Sequence, residues 1–151
     1  VKKELFSASK GKGSFLNGRN IECLSKNNIK DMMILNSRSE TTNGLWEPYK
    51  NKFKVLMPVG SVAYKLGLVA SGKADVFASL RPKNEWDICA GDLLIREAGG
   101  CLIDLNGSVR KYNQKNTLID RGLIAGNQDL VNSTLQIIND NDSDSQHGDT
   151  T

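Results

Sequence analysis

A chain of 151 residues with 38% hydrophobic and 25% charged content carries enough apolar material for one globular core, which excludes a disordered or fibrous chain. Its net charge of +3 comes from 20 Lys and Arg scattered among 17 acids, without the basic stripe that a nucleic acid polymer requires. The longest apolar stretches, residues 32–35 and 66–70, fall far short of the ~20 residues of a bilayer crossing, so no membrane partner is expected either.

The first expected element is a β-ribbon. Residues 5–9 are followed by Gly11, Gly13, Asn17 and Gly18, residue types that tolerate the positive φ of tight turns. Because the chain opens at Val1 within what reads as a strand, the ribbon is expected to be the edge of a larger sheet and the chain a part of a longer protein. Strands are expected at 31–36 and 53–59, the second ended by Pro58 and Gly60, with a short helix in 41–50 limited by Pro48. Ser61 then caps a helix in which Val62, Leu66, Val69 and Ala70 recur at i, i+4, i+7 and i+8, and Gly72 ends it.

A strand at 74–79 and a long helix at 86–98, stopped by Gly99 and Gly100, come next. A strand at 101–105 closed by Asn106-Gly107, a strand at 122–125 and a helix at 130–138 complete the alternation. The tail 139–151 is rich in Asp, Ser, Asn and Thr, reads as disordered, and holds the only histidine, His147, which leaves histidine-based acid–base catalysis without a candidate. The expected organisation is a ribbon over residues 1–25, an α/β domain with a mixed sheet flanked by helices over 26–138, and an acidic tail over 139–151. Cys23, Cys89 and Cys101 have neither disulfide nor zinc spacing and suit a reducing cytoplasm.

The stretch Asn84-Glu85-Trp86-Asp87-Ile88-Cys89-Ala90-Gly91-Asp92, running on to Glu97-Ala98-Gly99-Gly100, carries the chemistry. It sets Asp87 in the first turn of an apolar helix, where free N–H groups and the macrodipole stabilise negative charge. Such a fixed carboxylate suits a hard cation such as magnesium, and an isolated one is equally a capping acid; the residues alone leave both open. Trp86 is expected to anchor the helix start against the core, and Gly91 to admit another backbone. Gly60 and Ser61 precede a helix N-terminus whose N–H groups can meet an anion or a hydroxyl. Lys10 and Lys12, or Arg81 and Lys83, are local basic pairs that can face a phosphate ester or simply solvent.

The string W-D-I-C-A-G-D-L-L-I-R-E-A-G-G resembles the second signature of the inositol monophosphatase family, with Cys89 in place of the usual alanine. Gly11-Lys12-Gly13-Ser14-Phe15-Leu16-Asn17-Gly18 is similar to the hairpin before the second half of these enzymes. Gly60-Ser61-Val62 with Gly67-Leu68-Val69-Ala70-Ser71-Gly72 and Ala74-Asp75 is similar to their G-[ST] helix. The resemblance implies the C-terminal sandwich domain of that fold and a Mg2+-dependent phosphomonoesterase acting on a small phosphorylated metabolite. It makes Asp87 a metal ligand lying against the substrate, and Gly60, Ser61 and Val62 substrate contacts.

Within the family, inositol-specific members place a glutamate where this chain has Leu80. Pro82, Asn84, Trp86 and Asp87 reproduce the P-x-N-x-W-D string of the 3'(2'),5'-bisphosphate nucleotidases, and Ser37-Arg38-Ser39 resembles their S-R-S-H segment, with Glu40 replacing the histidine. The expected substrate is adenosine 3',5'-bisphosphate; inositol-1-phosphate, fructose-1,6-bisphosphate and histidinol phosphate are alternatives, as is a non-catalytic binding module of the same fold. The family's upstream glutamate and D-P-[IL]-D-[GS]-T string are not in the chain, and Asp31, Asp75, Asp92 and Asp104 do not reproduce their spacing. The chain by itself is therefore expected to be inactive, and its uncovered ribbon and apolar surface are expected to favour a homodimer.

Overall fold

The computed structural model describes residues 2–26 and 28–147, so Val1 and residues 148–151 of the expected tail lie outside the described residues. In chain order the elements begin with β1 (Phe6–Ala8), β2 (Ser14–Leu16), β3 (Arg19–Ile21), β4 (Met33–Ser37) and α1 (Arg38–Thr42). They continue with β5 (Val55–Val59), α2 (Val62–Ala70), β6 (Val76–Ser79), β7 (Lys83–Asn84) and α3 (Glu85–Glu97). The last are β8 (Cys101–Asp104), β9 (Leu118–Ile119), β10 (Leu123–Gly126) and α4 (Gln128–His147). The fold is α/β, with a mixed sheet flanked by helices.

The five-stranded sheet runs in the order β5-β4-β6-β10-β8; β4 is parallel to β5 and β6, and β10 is antiparallel to β6 and β8. Successive side chains of a strand point to opposite faces, and that alternation builds two cores. Ile34, Val76, Ala78 and Ile124 face one side with Trp46, Leu130, Val131 and Ile138; Leu35, Phe77, Leu123 and Ala125 face the other with Leu66, Val69, Ile88 and Ile95. The first core is closed by α4 and the second by α2 and α3.

Outside α2 and α3 lies a separate ribbon, β1-β2-β3, whose second turn places Asn17 at φ 50° and Gly18 at φ 77° as a tight hairpin demands. The ribbon is fastened to the end of α3: Gly11 and Gly13 N–H groups donate to the Glu97 carboxylate at 2.8 and 2.9 Å, and Ser14 Oγ donates to Leu94 O at 2.7 Å. These N–H groups, Gly11 first, hold the Glu97 carboxyl below the usual carboxylate range. Phe6 covers α2 where Gly67 has no side chain.

Five expectations change. Pro58 lies inside β5 instead of ending it, because β5 is an edge strand with one row of N–H groups unpaired, where proline costs no ladder bond. The helix expected in 41–50 is instead α1 followed by a 3-10 turn at Glu47–Tyr49, with Pro48 in its opening positions. The disorder expected from residue 139 gives way to helix as far as His147, since a helix nucleated on Leu130, Val131 and Ile138 extends at little cost. Ser145 there donates to the Asn141 carbonyl, and Asp142 meets Arg121 at 3.2 Å.

Trp86 does not anchor α3; it is 66% exposed, because the helix turns Ile88, Gly91 and Ile95 to α2 and the sheet and leaves Trp86 about 200° away from Ile88. Gly91 admits a side chain, not a backbone: a Cβ there would lie 2.2 Å from Leu66 Cδ1 and 2.8 Å from Leu66 Cβ. Among the described residues no helix is long and apolar enough to cross a membrane. The Leu66–Gly91 contact predicts that Gly91→Ala destabilises the fold by about 1–3 kcal/mol, the range for overpacking a filled core, measured as a lowered denaturant midpoint at unchanged slope.

Candidate active site

Strand direction brings the expected site residues to one end of the molecule. Helix α2 leaves the end of β5 and returns to the start of β6, and α3 runs back to the start of β8, which is parallel to β6 through the intervening β10. Both helices therefore begin at the carboxyl ends of the parallel strands. Asp87 stands one turn before Gly91 and Val62 one turn before Leu66, so the Leu66–Gly91 contact sets the two first turns side by side.

Ser61 sits at φ 62°, ψ 117°, a conformation uncommon for a residue with a side chain and costing on the order of 1–3 kcal/mol. Its Oγ accepts from Tyr64 N at 3.3 Å and its carbonyl from Lys65 N at 3.2 Å. The preceding carbonyl, Val59 O, accepts from Lys65 Nζ at 2.8 Å, so the Gly60–Ser61 turn is held from beneath. Arg38 lies beside Gly60, its Nη1 3.5 Å from where a Cβ would be, and is exposed with no hydrogen bond or ion pair among the described residues. Asp87 is likewise exposed and unpaired among the described residues.

Below this surface lies a set of buried charges that the sequence reading did not assemble. Glu40, 1% exposed, accepts from Trp46 Nε1 at 2.9 Å, Ser79 Oγ at 2.6 Å and Leu80 N at 3.2 Å, and lies 3.8 Å from Lys83 Nζ. Lys65 is 3% exposed, with its ammonium 5.0 Å from the Phe77 ring centroid. Burial pushes Lys65 down to about 8, the nearby Glu40 charge opposing this and Lys83 and Arg38 adding to it. The signal was visible as a lysine at a core position of α2, one residue from Leu66.

The four acids whose spacing was weighed from the sequence are engaged elsewhere. Asp75 accepts from Met33 N and Lys26 Nζ at the opposite end of the sheet, Asp31 pairs with Lys54, and Asp104 accepts from Asn106 and Ser108 N–H groups. Asp92 is buried against Arg96 and the Tyr112 hydroxyl. Among the described residues no three His, Cys, Asp or Glu side chains gather as a metal site. Magnesium takes near-octahedral oxygen ligation. The chain thus offers Asp87 as one carboxylate ligand and does not by itself fit a whole Mg2+ site.

In open α/β sheets the crevice outside the carboxyl ends of the strands is where ligands bind, and two helix N-termini and an open carboxylate meet there in this chain. The chain matches the inositol monophosphatase family over residues 1–141, and it belongs to that family. It is 32% identical over 146 residues to an inositol monophosphatase of Dictyostelium discoideum, covering 89% of this chain and 50% of that one. It is 30% identical over 122 residues to a fructose-1,6-bisphosphatase/inositol-1-monophosphatase of Thermotoga maritima, covering 80% and 47%. The extragenic suppressor protein suhB from Bartonella henselae superposes with a TM-score of 0.73 at 28% identity, over 88% of this chain and 52% of that one. The chain spans about half the length of the relatives it matches.

The Lys65 proton gives a pH test with a defined sign. Below pH 8 folded and unfolded states both hold it and the cost of burying the charge is present in full; between about 8 and 10.5 only the unfolded state holds it, so stability rises with pH. Wild type is expected to gain stability relative to Lys65→Met between pH 8 and 10.5, read from urea unfolding at a series of pH values.

Proposed function

We propose that this chain supplies one side of the active site of a Mg2+-dependent phosphomonoesterase acting on a small phosphorylated metabolite. The single observation that carries the reading is the unpaired Asp87 carboxylate at the start of α3, beside the strained Gly60–Ser61 turn. Asp87 fills one coordination position of a magnesium ion, whose remaining ligands come from polypeptide equivalent to the other half of the family's length. A bound magnesium ion supplies charge against phosphoryl oxygens. Gly60, Ser61 and Val62 present the opening N–H groups of α2 to a substrate hydroxyl or anionic oxygen.

Among phosphate esters, adenosine 3',5'-bisphosphate is the preferred substrate. Leu80 supplies no carboxylate for polyol hydroxyls, and Arg38, exposed beside Gly60, is free to meet a second phosphate. Glu40 is too deeply buried to touch a ligand and so does not substitute for the nucleotidase histidine. Inositol-1-phosphate or another small polyol phosphate is the alternative. A binding module that keeps the fold without catalysis is a further alternative, which turnover in a polypeptide of full family length would exclude. Cys23, Cys89 and Cys101 are free thiols, which suits a reducing cytoplasm.

Purified alone, the chain is expected to release no phosphate from adenosine 3',5'-bisphosphate with Mg2+. In a polypeptide of full family length the same assay should show turnover, and Asp87→Asn should lower it by about 100-fold or more, the scale of losing one charge-stabilising group. Undiminished turnover in that variant would remove the phosphatase reading.

Self-association is proposed for the chain by itself. The outer strands β1 and β3 of the ribbon have free edges, and Leu5 and Trp86 are exposed apolar groups on the same side of the sheet. Light scattering is expected to report a dimer or larger species, and a monodisperse monomer would refute this.

A further inference from the structure

We infer that Glu40 is a positioning residue for the site at the helix N-termini, tying the end of β4 to the segment that leads from β6 into α3 and so setting where Asp87 stands relative to Gly60 and Ser61. The inference rests on reading those three residues as the site, and it concerns the position where the bisphosphate nucleotidases' S-R-S-H segment has its histidine.

Three donors converge on this carboxylate from three directions. Trp46 Nε1 comes from the core, where a buried indole N–H requires an acceptor. Ser79 Oγ and Leu80 N come from the end of β6. The chain from Leu80 to Asp87 is short and stiff, containing Pro82 and the β7 pair to β9 through Lys83–Ile119 and Asn84–Leu118. A shift at Leu80 is therefore passed to the first turn of α3. On its other side Glu40 belongs to α1, whose first residue, Arg38, lies against Gly60.

Its charge has a second effect. Lys65, which holds Val59 O under the Gly60–Ser61 turn, faces the Phe77 ring and feels Glu40, Lys83 and Arg38. Glu40 is the one anion in that set, and it lies close to Lys83 as well. With Glu40 neutral, the buried Lys65 ammonium would face Lys83 and Arg38 without the anion that opposes them.

Two variants separate geometry from charge. Glu40→Gln can keep its oxygen on Trp46 and Leu80 and turn its amide to Ser79, whose hydroxyl accepts as readily as it donates. Glu40→Asp keeps the charge and withdraws it by one methylene. NMR on the ligand-free chain reads both, with the amide of the fully buried Val131, bonded to Asn127 O in the first turn of α4, as the control for global stability.

In E40D the Leu80 amide is expected to exchange about tenfold faster or more, the scale of one hydrogen bond to a charged group. The Ser61 and Asp87 amide signals should shift while Val131 stays protected. In E40Q those signals should hold and the Lys65 titration should move below its wild-type value. Unchanged Leu80 exchange, or unmoved Ser61 and Asp87 signals, in a folded E40D chain overturns the inference. If E40D loses Val131 protection, an unmoved Lys65 titration in E40Q overturns it instead. Neither measurement involves substrate or metal, so failure here leaves the phosphatase reading intact, whereas failure of Asp87→Asn to lower turnover would leave the coupling of Glu40 to Ser61 and Asp87 measurable and remove only its link to a site.

Discussion

The contact of Leu66 with Gly91 is what the rest of the arrangement depends on. Two helices pack closely only where one side of the contact gives up its side chain, and the Leu66 branch occupies the space a Cβ on residue 91 would need. Because both helices run in the same direction, that closeness is carried one turn back to their N-termini, where the unpaired Asp87 and the Ser61 turn then lie together. The partial positive charge of two helix starts is concentrated at a single edge of the sheet.

Sequence blocks that look independent along the chain turn out to be parts of the same joint. Glu97, from the E-A-G-G run, accepts from Gly11 and Gly13 of the ribbon hairpin, and Gly100 leaves room for Gly126 O, which a Cβ would approach to 2.6 Å. Ser14 and Cys23 add bonds to the end of α3. The glycines and acid of these blocks thus serve to lock ribbon, helix and sheet, while the exposed Asp87 stands at the opposite end of α3.

The buried charges beneath the site show a different economy. Glu40 exchanges contact with solvent for three donors, and Lys65 exchanges it for one carbonyl and an aromatic face. Removing two ions from water is costly and is offset only when nearly every lone pair and proton finds a partner. Here the return is definition of the backbone around Val59, Ser61 and Leu80, including a Ser61 conformation that an unsupported chain would leave.

Much of this was legible in the residue string. Period-2 and period-3.6 patterns located the strands and α2, and glycine and asparagine marked the turns, because these depend on neighbours within a few residues. The position of Asp87 in a first helical turn was equally local. What the string could not decide was which face each residue of α3 presents and what meets it: Trp86 was read as an anchor and is exposed, and Gly91 receives a leucine from a helix some 25 residues earlier. Nor could it show that Glu40, Lys65, Ser79 and Lys83 form one cluster, since these are distant in sequence and meet only because β4 and β6 are neighbours in the sheet. Local sequence determined the elements and left the role of Asp87 open between ligand and cap; strand order and helix packing, which are set by long-range burial of apolar faces, decided which charges meet.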